Sequence, residues 1–301
     1  MSKLIKSVRR FNQNYKNFNF SDLTSRADEE YLELTVIMDS NGNTIEEIKY
    51  LPTSEVEEKS SYEYDANGKL TSHTLLYAID NFTEKRILTR NEKGLLISEV
   101  KYYSGDSGEK TNYEYNEKDN VTAIIHHDEV GEFVSREEIK YDDKGSLSER
   151  CTYDINKKIV SRITFTNSGD NQIEEIDYDA NGVIVSKTII TFNDKGKELS
   201  TVQTNLQGKL LTSVKNTYND RGYIIEKIYK DFYSKKVTFE YNDKDLLIVQ
   251  ELYDEHGLLL RKNLYEYDDD KNVIAEQTYE MDTTRGGRDK HFGTRYEYEL
   301  F

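Results

Sequence analysis

From about residue 31 onward, short runs of alternating apolar and polar residues are broken by turn-forming residues. The clearest unit is Tyr62-Glu63-Tyr64-Asp65-Ala66-Asn67-Gly68-Lys69-Leu70. Asp65 can bond the backbone two residues on, Asn67 tolerates unusual dihedrals, and Gly68 accepts a positive φ without steric cost. A type I turn followed by a left-handed glycine makes a common hairpin loop. With Ala66-Asn67-Gly68 as that loop, Tyr64 lies opposite Leu70 and Tyr62 opposite Ser72. Alternation then puts Tyr62, Tyr64, Leu70 and Ser72 on one face, and Glu63, Lys69 and Thr71 on the other.

The same frame recurs. Turns start at Asp39, Asp65, Asn91, Asp128, Asp142, Asp179, Asn193, Asn205, Asn219 and Asp254, each with glycine three residues later. Looser copies start at Asn116, Asp154, Asn242 and Asp268. The residue before the turn is usually aromatic, as in Tyr115, Tyr141, Tyr178, Tyr241 and Tyr267. The step between turns is about thirteen residues, the mark of an antiparallel β array. The pattern predicts an all-β fold, a long antiparallel meander of about twenty strands built from tandem hairpins. Twist forces so long a sheet to curl or close, and an exposed Tyr/Leu strip would aggregate. The expected array is therefore curled around that face, with Tyr64, Tyr141, Tyr178, Tyr241 and Tyr267 inward. Glu63, Lys140, Asp177, Glu240 and Glu266 are then outward.

Two segments depart from the pattern. In residues 1–30, Leu4, Ile5, Val8, Phe11 and Tyr15 recur at helical spacing, and Ser21 could cap a second short helix through Leu23. This predicts an N-terminal helical cap over 1–30, covering the first edge of a β array over 31–301. Near the other end, Met281 to Thr294 carries Arg285, Arg288 and Lys290 and reads as a basic hairpin loop before a last strand, Arg295-Tyr296-Glu297-Tyr298.

Composition narrows the function classes. The 301 residues carry a formal net charge of −16, with 57 acidic residues against 41 Lys and Arg. That balance disfavours nucleic acid, whose phosphates it repels, and suits a basic protein partner. No apolar run is long enough for a membrane span, and Met1 to Phe20 lacks the apolar core of a signal peptide, so a cytoplasmic monomer with no membrane partner is expected. Cys151 is the sole cysteine, which excludes a disulfide framework.

No catalytic, metal or cofactor site emerges. The histidines have no metal-ligand spacing, and His126 and His127 point to opposite faces of a strand. Asp268, Asp270 and Asn272 imitate the start of a calcium loop, but position 279 is Tyr where the distal Glu belongs. Turn chemistry explains them better. What remains is a row of carboxylates, Glu63, Glu114, Asp177, Glu240 and Glu266, recurring at one place in successive units. A second candidate is the basic loop with Arg285, Arg288 and Lys290.

The unit Tyr-x-Tyr-Asp-x-x-Gly-x-Leu, seen in Tyr62 to Leu70 and loosely in Tyr265 to Val273, resembles the YD repeat of the RHS family over residues 31–301. That resemblance implies bacterial repeat strands wound into a β-shell. The turns are also similar to those of MORN-like bacterial repeat proteins classed as antitoxins. The expectation is a non-enzymatic protein-binding module, an immunity or antitoxin protein neutralising a basic toxin. A carbohydrate or cell-surface binding protein using rows of exposed tyrosine is the alternative.

Overall fold

The computed structural model describes residues 4–15, 27–103, 105, 107–167, 169, 171–282 and 288–301. In chain order the strands are β1 (Ile5–Tyr15), β2 (Glu29–Met38), β3 (Thr44–Tyr50), β4 (Val56–Tyr64), β5 (Leu70–Tyr77), β6 (Phe82–Arg90) and β7 (Leu96–Tyr103). Next come β8 (Gly108–Tyr115), β9 (Val121–His127), β10 (Phe133–Tyr141), β11 (Leu147–Tyr153), β12 (Ile159–Asn167), β13 (Gln172–Tyr178) and β14 (Ile184–Phe192). The array ends with β15 (Glu198–Asn205), β16 (Leu210–Tyr218), β17 (Ile224–Lys230), β18 (Ser234–Tyr241), β19 (Leu247–Tyr253), β20 (Leu259–Tyr267), β21 (Val273–Glu280) and β22 (Lys290–Leu300).

All 22 strands belong to one antiparallel sheet, each paired with its neighbours in sequence. β1 pairs with both β2 and β22, so the sheet closes into a barrel with no free edge. Even-numbered strands end at one rim, called upper here, and odd-numbered strands at the lower rim. Among the described residues no strand approaches any strand but its two ladder partners within 8 Å between Cα atoms. The accessible surface is 19314 Å², against about 13,000 Å² expected for a compact chain of this mass. The barrel is therefore a single layer with both faces open to solvent over much of their area.

Each unit is set by its turn. The Gly68 amide donates to the Asp65 carbonyl at 2.9 Å, and the Asp65 amide to the Lys69 carbonyl at 2.9 Å. Asp65 Oδ1 accepts the amides of Asn67 and Lys69. Those donors hold the Asp65 carboxyl below its ordinary pKa. Gly68 sits at φ 75°, where a glycine is unstrained.

The residue after the turn carries a bulge that the alternation rule misses. Tyr64 lies opposite Leu70 as expected, but Glu63 faces Ser72 and Tyr62 faces His73, leaving Thr71 unpaired. Ser72 is thus on the face of Glu63 and not that of Tyr62. One extra residue flips every later side chain to the other face. The cumulative result overturns the one-sided sheet. Tyr64, Tyr141, Tyr241 and Tyr267 share a face at the upper rim, while Tyr178 at the lower rim lies on the opposite face with Tyr153 and Tyr253. Where a lower turn lacks the bulge, as between Tyr77 and Phe82, the lower-rim aromatics stay on the face of Tyr64.

The upper-rim tyrosines do more than pack. Seven of them, Tyr64, Tyr115, Tyr141, Tyr218, Tyr241, Tyr267 and Tyr298, donate a hydroxyl to the carbonyl of the first residue of the preceding strand, at 2.6 to 2.9 Å. In each of these pairs the backbone ladder stops short of the rim, and the phenol supplies the bond the ladder lacks. On β14, where the ladder runs to the rim, the residue is phenylalanine. The Phe192 amide itself bonds the Asn171 carbonyl at 2.8 Å.

Among the described residues the N-terminal helix is not found. Residues 5–15 form β1, the strand that closes the barrel. A short isolated helix is marginal and would leave two sheet edges unpaired, whereas a strand satisfies both. A bulge between Ile5 and Ser7 keeps Ile5 and Val8 on one face, while Phe11 and Tyr15 lie on the other, so apolar residues from both faces leave a spacing that imitates a helix. The segment around Ser21 and Leu23 lies outside the described residues. At the other end, β22 begins at Lys290 rather than Arg295, so His291 and Gly293 are strand residues. A Cβ at Gly293 would sit 2.9 Å from the Glu276 carbonyl oxygen, so glycine is needed for close strand approach.

Candidate partner-binding rim

Glu63, Glu114, Glu240 and Glu266 precede the latch tyrosines of β4, β8, β18 and β20. They therefore stand on one face of the upper rim, and all four are exposed. Their cross-strand neighbours are uncharged: Ser72, Ala123, Val249 and Ala275. Ala123 is fully buried beneath its neighbours and Ser72 nearly so, so the carboxylates rise from a floor of small or apolar side chains. Arg136 binds Glu114 at 2.9 Å. Glu63, Glu240 and Glu266 have no cation within 4.0 Å among the described residues.

Ladder spacing puts Glu240 and Glu266 about 10 Å apart, two strands along the sheet. Glu297 occupies the matching place on β22 but is bound by Arg295 at 2.6 Å and Arg9 at 2.7 Å. Through the β22–β1 seam the sites form an acidic arc from β18 around to β8. The sequence pattern did not single out Glu297, because the closure that brings it into line depends on β1.

Asp177 does not belong to the arc. It lies at the lower rim, half-buried, opposite Ser186, whose hydroxyl donates to it. The bulge after Asp154 and the odd number of strands from β10 place it on the other face and at the other end. Of the basic loop, Arg285 lies outside the described residues. Arg288 and Lys290 are at the lower rim, with Lys290 opposite Glu280. The structure keeps these cations apart from the acidic arc.

The upper rim is stiffened by bonds between successive hairpins. Lys69 Nζ donates to the Gly94 carbonyl at 2.9 Å, Lys93 meets Asp119 at 2.7 Å, and Lys197 reaches the Gly222 carbonyl. The calcium-like turn is satisfied internally. Asp268 Oδ1 accepts the Asn272 amide and Oδ2 its side-chain amide. Among the described residues no group of three metal-binding side chains is assembled. Cys151 is buried beside Tyr153, whose hydroxyl is pushed up to about 12 by its bond with the thiol and by burial.

No family model matches the chain, and no curated protein matches it. Among solved structures it is similar to a porin-like protein from Bacteroides uniformis, at 10% identity over 98% of both chains, with a TM-score of 0.31. It is also similar to the TcdB2-TccC3-Cdc42 complex, at 10% identity and a TM-score of 0.16, covering 94% of this chain and 22% of that one. At these scores no shared fold follows from either likeness.

Proposed function

We propose that the barrel is a non-enzymatic protein-binding module, of the immunity or antitoxin type, whose acidic upper rim captures a basic protein. The observation that carries this reading is the gathering of Glu63, Glu114, Glu240 and Glu266 on one face of one rim, three of them without a cation among the described residues. A net charge of −16 extends the field of that arc into solvent. The rim is held by tyrosine latches and lysine clasps, so its geometry is fixed before a partner arrives. The similarity of the turns to those of MORN-like repeat antitoxins is in keeping with this class, and the expected setting is the cytoplasm. The carbohydrate alternative relies on rows of exposed tyrosine, and seven rim tyrosines direct their hydroxyls to backbone carbonyls, which favours the protein-binding reading.

The test uses a partner obtained by pull-down from the native host. Reversing Glu240 and Glu266 together to Lys should slow association severalfold with the melting temperature unchanged, since steering acts on the encounter. Asp177→Asn, at the opposite rim, should leave the on-rate alone. A genuine partner whose on-rate ignores the double reversal would remove the acidic arc as the recognition surface.

A further inference from the structure

The two rims are decorated differently. Central residues of most upper turns are charged, as in Asp143-Lys144, Asp194-Lys195 and Asp220-Arg221, with Ser40-Asn41 and Ala66-Asn67 the uncharged ones among the described turns. Six consecutive lower turns, joining β9 through β20, instead present Val130, Ile155, Val183, Leu206, Phe232 and Leu258, each between 53% and 96% exposed. After the first four of these turns, the unpaired bulge residue is an exposed aliphatic as well: Val134, Val160, Val185 and Leu211. Neighbouring lower turns are two strands apart, about 10 Å, so the apolar arc runs about 50 Å along the rim.

A fully buried aliphatic side chain removes roughly 60–120 Å² from water, from its transfer energy and the usual area coefficient. On that scale the arc leaves roughly 350–700 Å² of apolar side chain exposed, the size of the largest apolar patches found on monomers, which mark interaction sites. Two such arcs face to face would cover roughly 700–1,400 Å², a range that reaches the lower bound of a stable protein interface, about 1,200 Å². Phe232, the most exposed of these residues at 96%, has the size and rigidity of an anchoring side chain.

We propose that the lower rim is the interface of a homodimer, two barrels meeting lower rim to lower rim. A two-fold contact is self-complementary, so the same arc provides both surfaces. The charged upper rims face away from each other, which ends assembly at two copies rather than a filament. A lipid surface fits less well: Lys157, Lys158, Lys230, Lys235 and Lys236 flank the arc, but Asp154, Asp179, Asp231, Asp254 and Glu255 are interspersed with them and the chain is strongly acidic. The proposed dimer differs from the monomer expected from sequence. It is independent of the acidic arc, which stays exposed at both ends.

Sedimentation velocity of the full chain at about 50 µM should give twice the 35.3 kDa chain mass. Leu206→Asp with Phe232→Asp should return it to a single chain with an unchanged melting temperature. If that pair lowers the melting temperature, Phe232→Ser alone, at a nearly fully exposed tip, should still weaken the dimer at least tenfold. Lys144→Glu with Lys195→Glu at the upper rim, and Glu240→Lys with Glu266→Lys, should keep the dimer mass. A wild-type chain that sediments as a monomer overturns the proposal, as does a dimer that ignores the lower-rim substitutions or is lost with the upper-rim ones. Flotation with phosphatidylcholine vesicles, abolished by Leu206→Asp with Phe232→Asp, would assign the arc to lipid and overturn it equally.

Discussion

The hydroxyl of Tyr141 donates to the carbonyl of Val121 at 2.9 Å, two residues beyond the point where the β9–β10 ladder ends at Ala123 and Glu138. The same relationship recurs on six other even-numbered strands. It makes tyrosine at this position a backbone partner as well as an apolar side chain. Removing the hydroxyl leaves a carbonyl without its donor, at a net cost of about 1 kcal/mol. Tyr141→Phe should therefore lower the unfolding free energy by about that much in urea titration. Tyr178→Phe, on the lower rim and outside the latch set, should be close to neutral. Equal effects would mean the latch contributes nothing.

The left-handed turn position gives a second prediction, of opposite signs at two sites. Lys157 occupies it at φ 59°, where a non-glycine residue is strained by roughly 1–2 kcal/mol. Lys157→Gly should raise stability by up to about 1 kcal/mol. Gly182 holds the same conformation at φ 77°, and a Cβ added there would meet only open space. Gly182→Val should therefore destabilise through the backbone alone, by at least about 1 kcal/mol. A Gly182→Val protein that melts like wild type would contradict the turn assignment.

His73 stacks on Tyr62 with ring centroids 4.6 Å apart and lies 3.2 Å from Ser60 Oγ. Burial, and then the nearby Arg86 guanidinium, hold its pKa below the ordinary 6.5. The unfolded chain then takes up the proton first. The contribution of His73 is complete above about pH 6.5 and is lost as pH falls through the lower folded value. His73→Phe keeps the stack and removes the titration, so its melting temperature should fall less between about pH 7 and about pH 5 than that of wild type. An identical fall in the two proteins would show that His73 is not linked to folding.

The field of the acidic arc should appear in the salt dependence of partner capture. Screening beyond about 10 Å at 0.1 M salt should slow association while leaving dissociation nearly constant. Stopped-flow rates across a salt series read this directly. A salt-independent on-rate would point to a short-range apolar contact instead.

Much of the fold was legible because turns are local. Asp65, Asn67 and Gly68 specify their hairpin without reference to the rest of the chain, and the equivalent turn at Asp179 follows the same rule. The faces were not legible. A bulge residue such as Thr71 or Val185 looks like any strand residue, yet it reverses the face of everything after it. That is why Glu63, Glu114, Glu240 and Glu266 were placed together correctly and Asp177 was not. The seam was hidden for a different reason. Whether Val8 and Phe11 belong to a helix or a strand depends on two sheet edges, at β2 and β22, far apart in sequence. The place of Glu297 in line with the other rim carboxylates depends on that closure too.

The barrel depends on β1 closing the sheet between β2 and β22. Hydrogen exchange of the amides from Ser7 to Asn14 tests this most directly. In a closed barrel the amides pointing to β2 and those pointing to β22 are both bonded, so both alternate sets should exchange slowly, at the rate of interior strands such as β14. Fast exchange of one alternate set would show an open edge, and fast exchange of the whole segment would show that residues 5–15 are not part of the sheet.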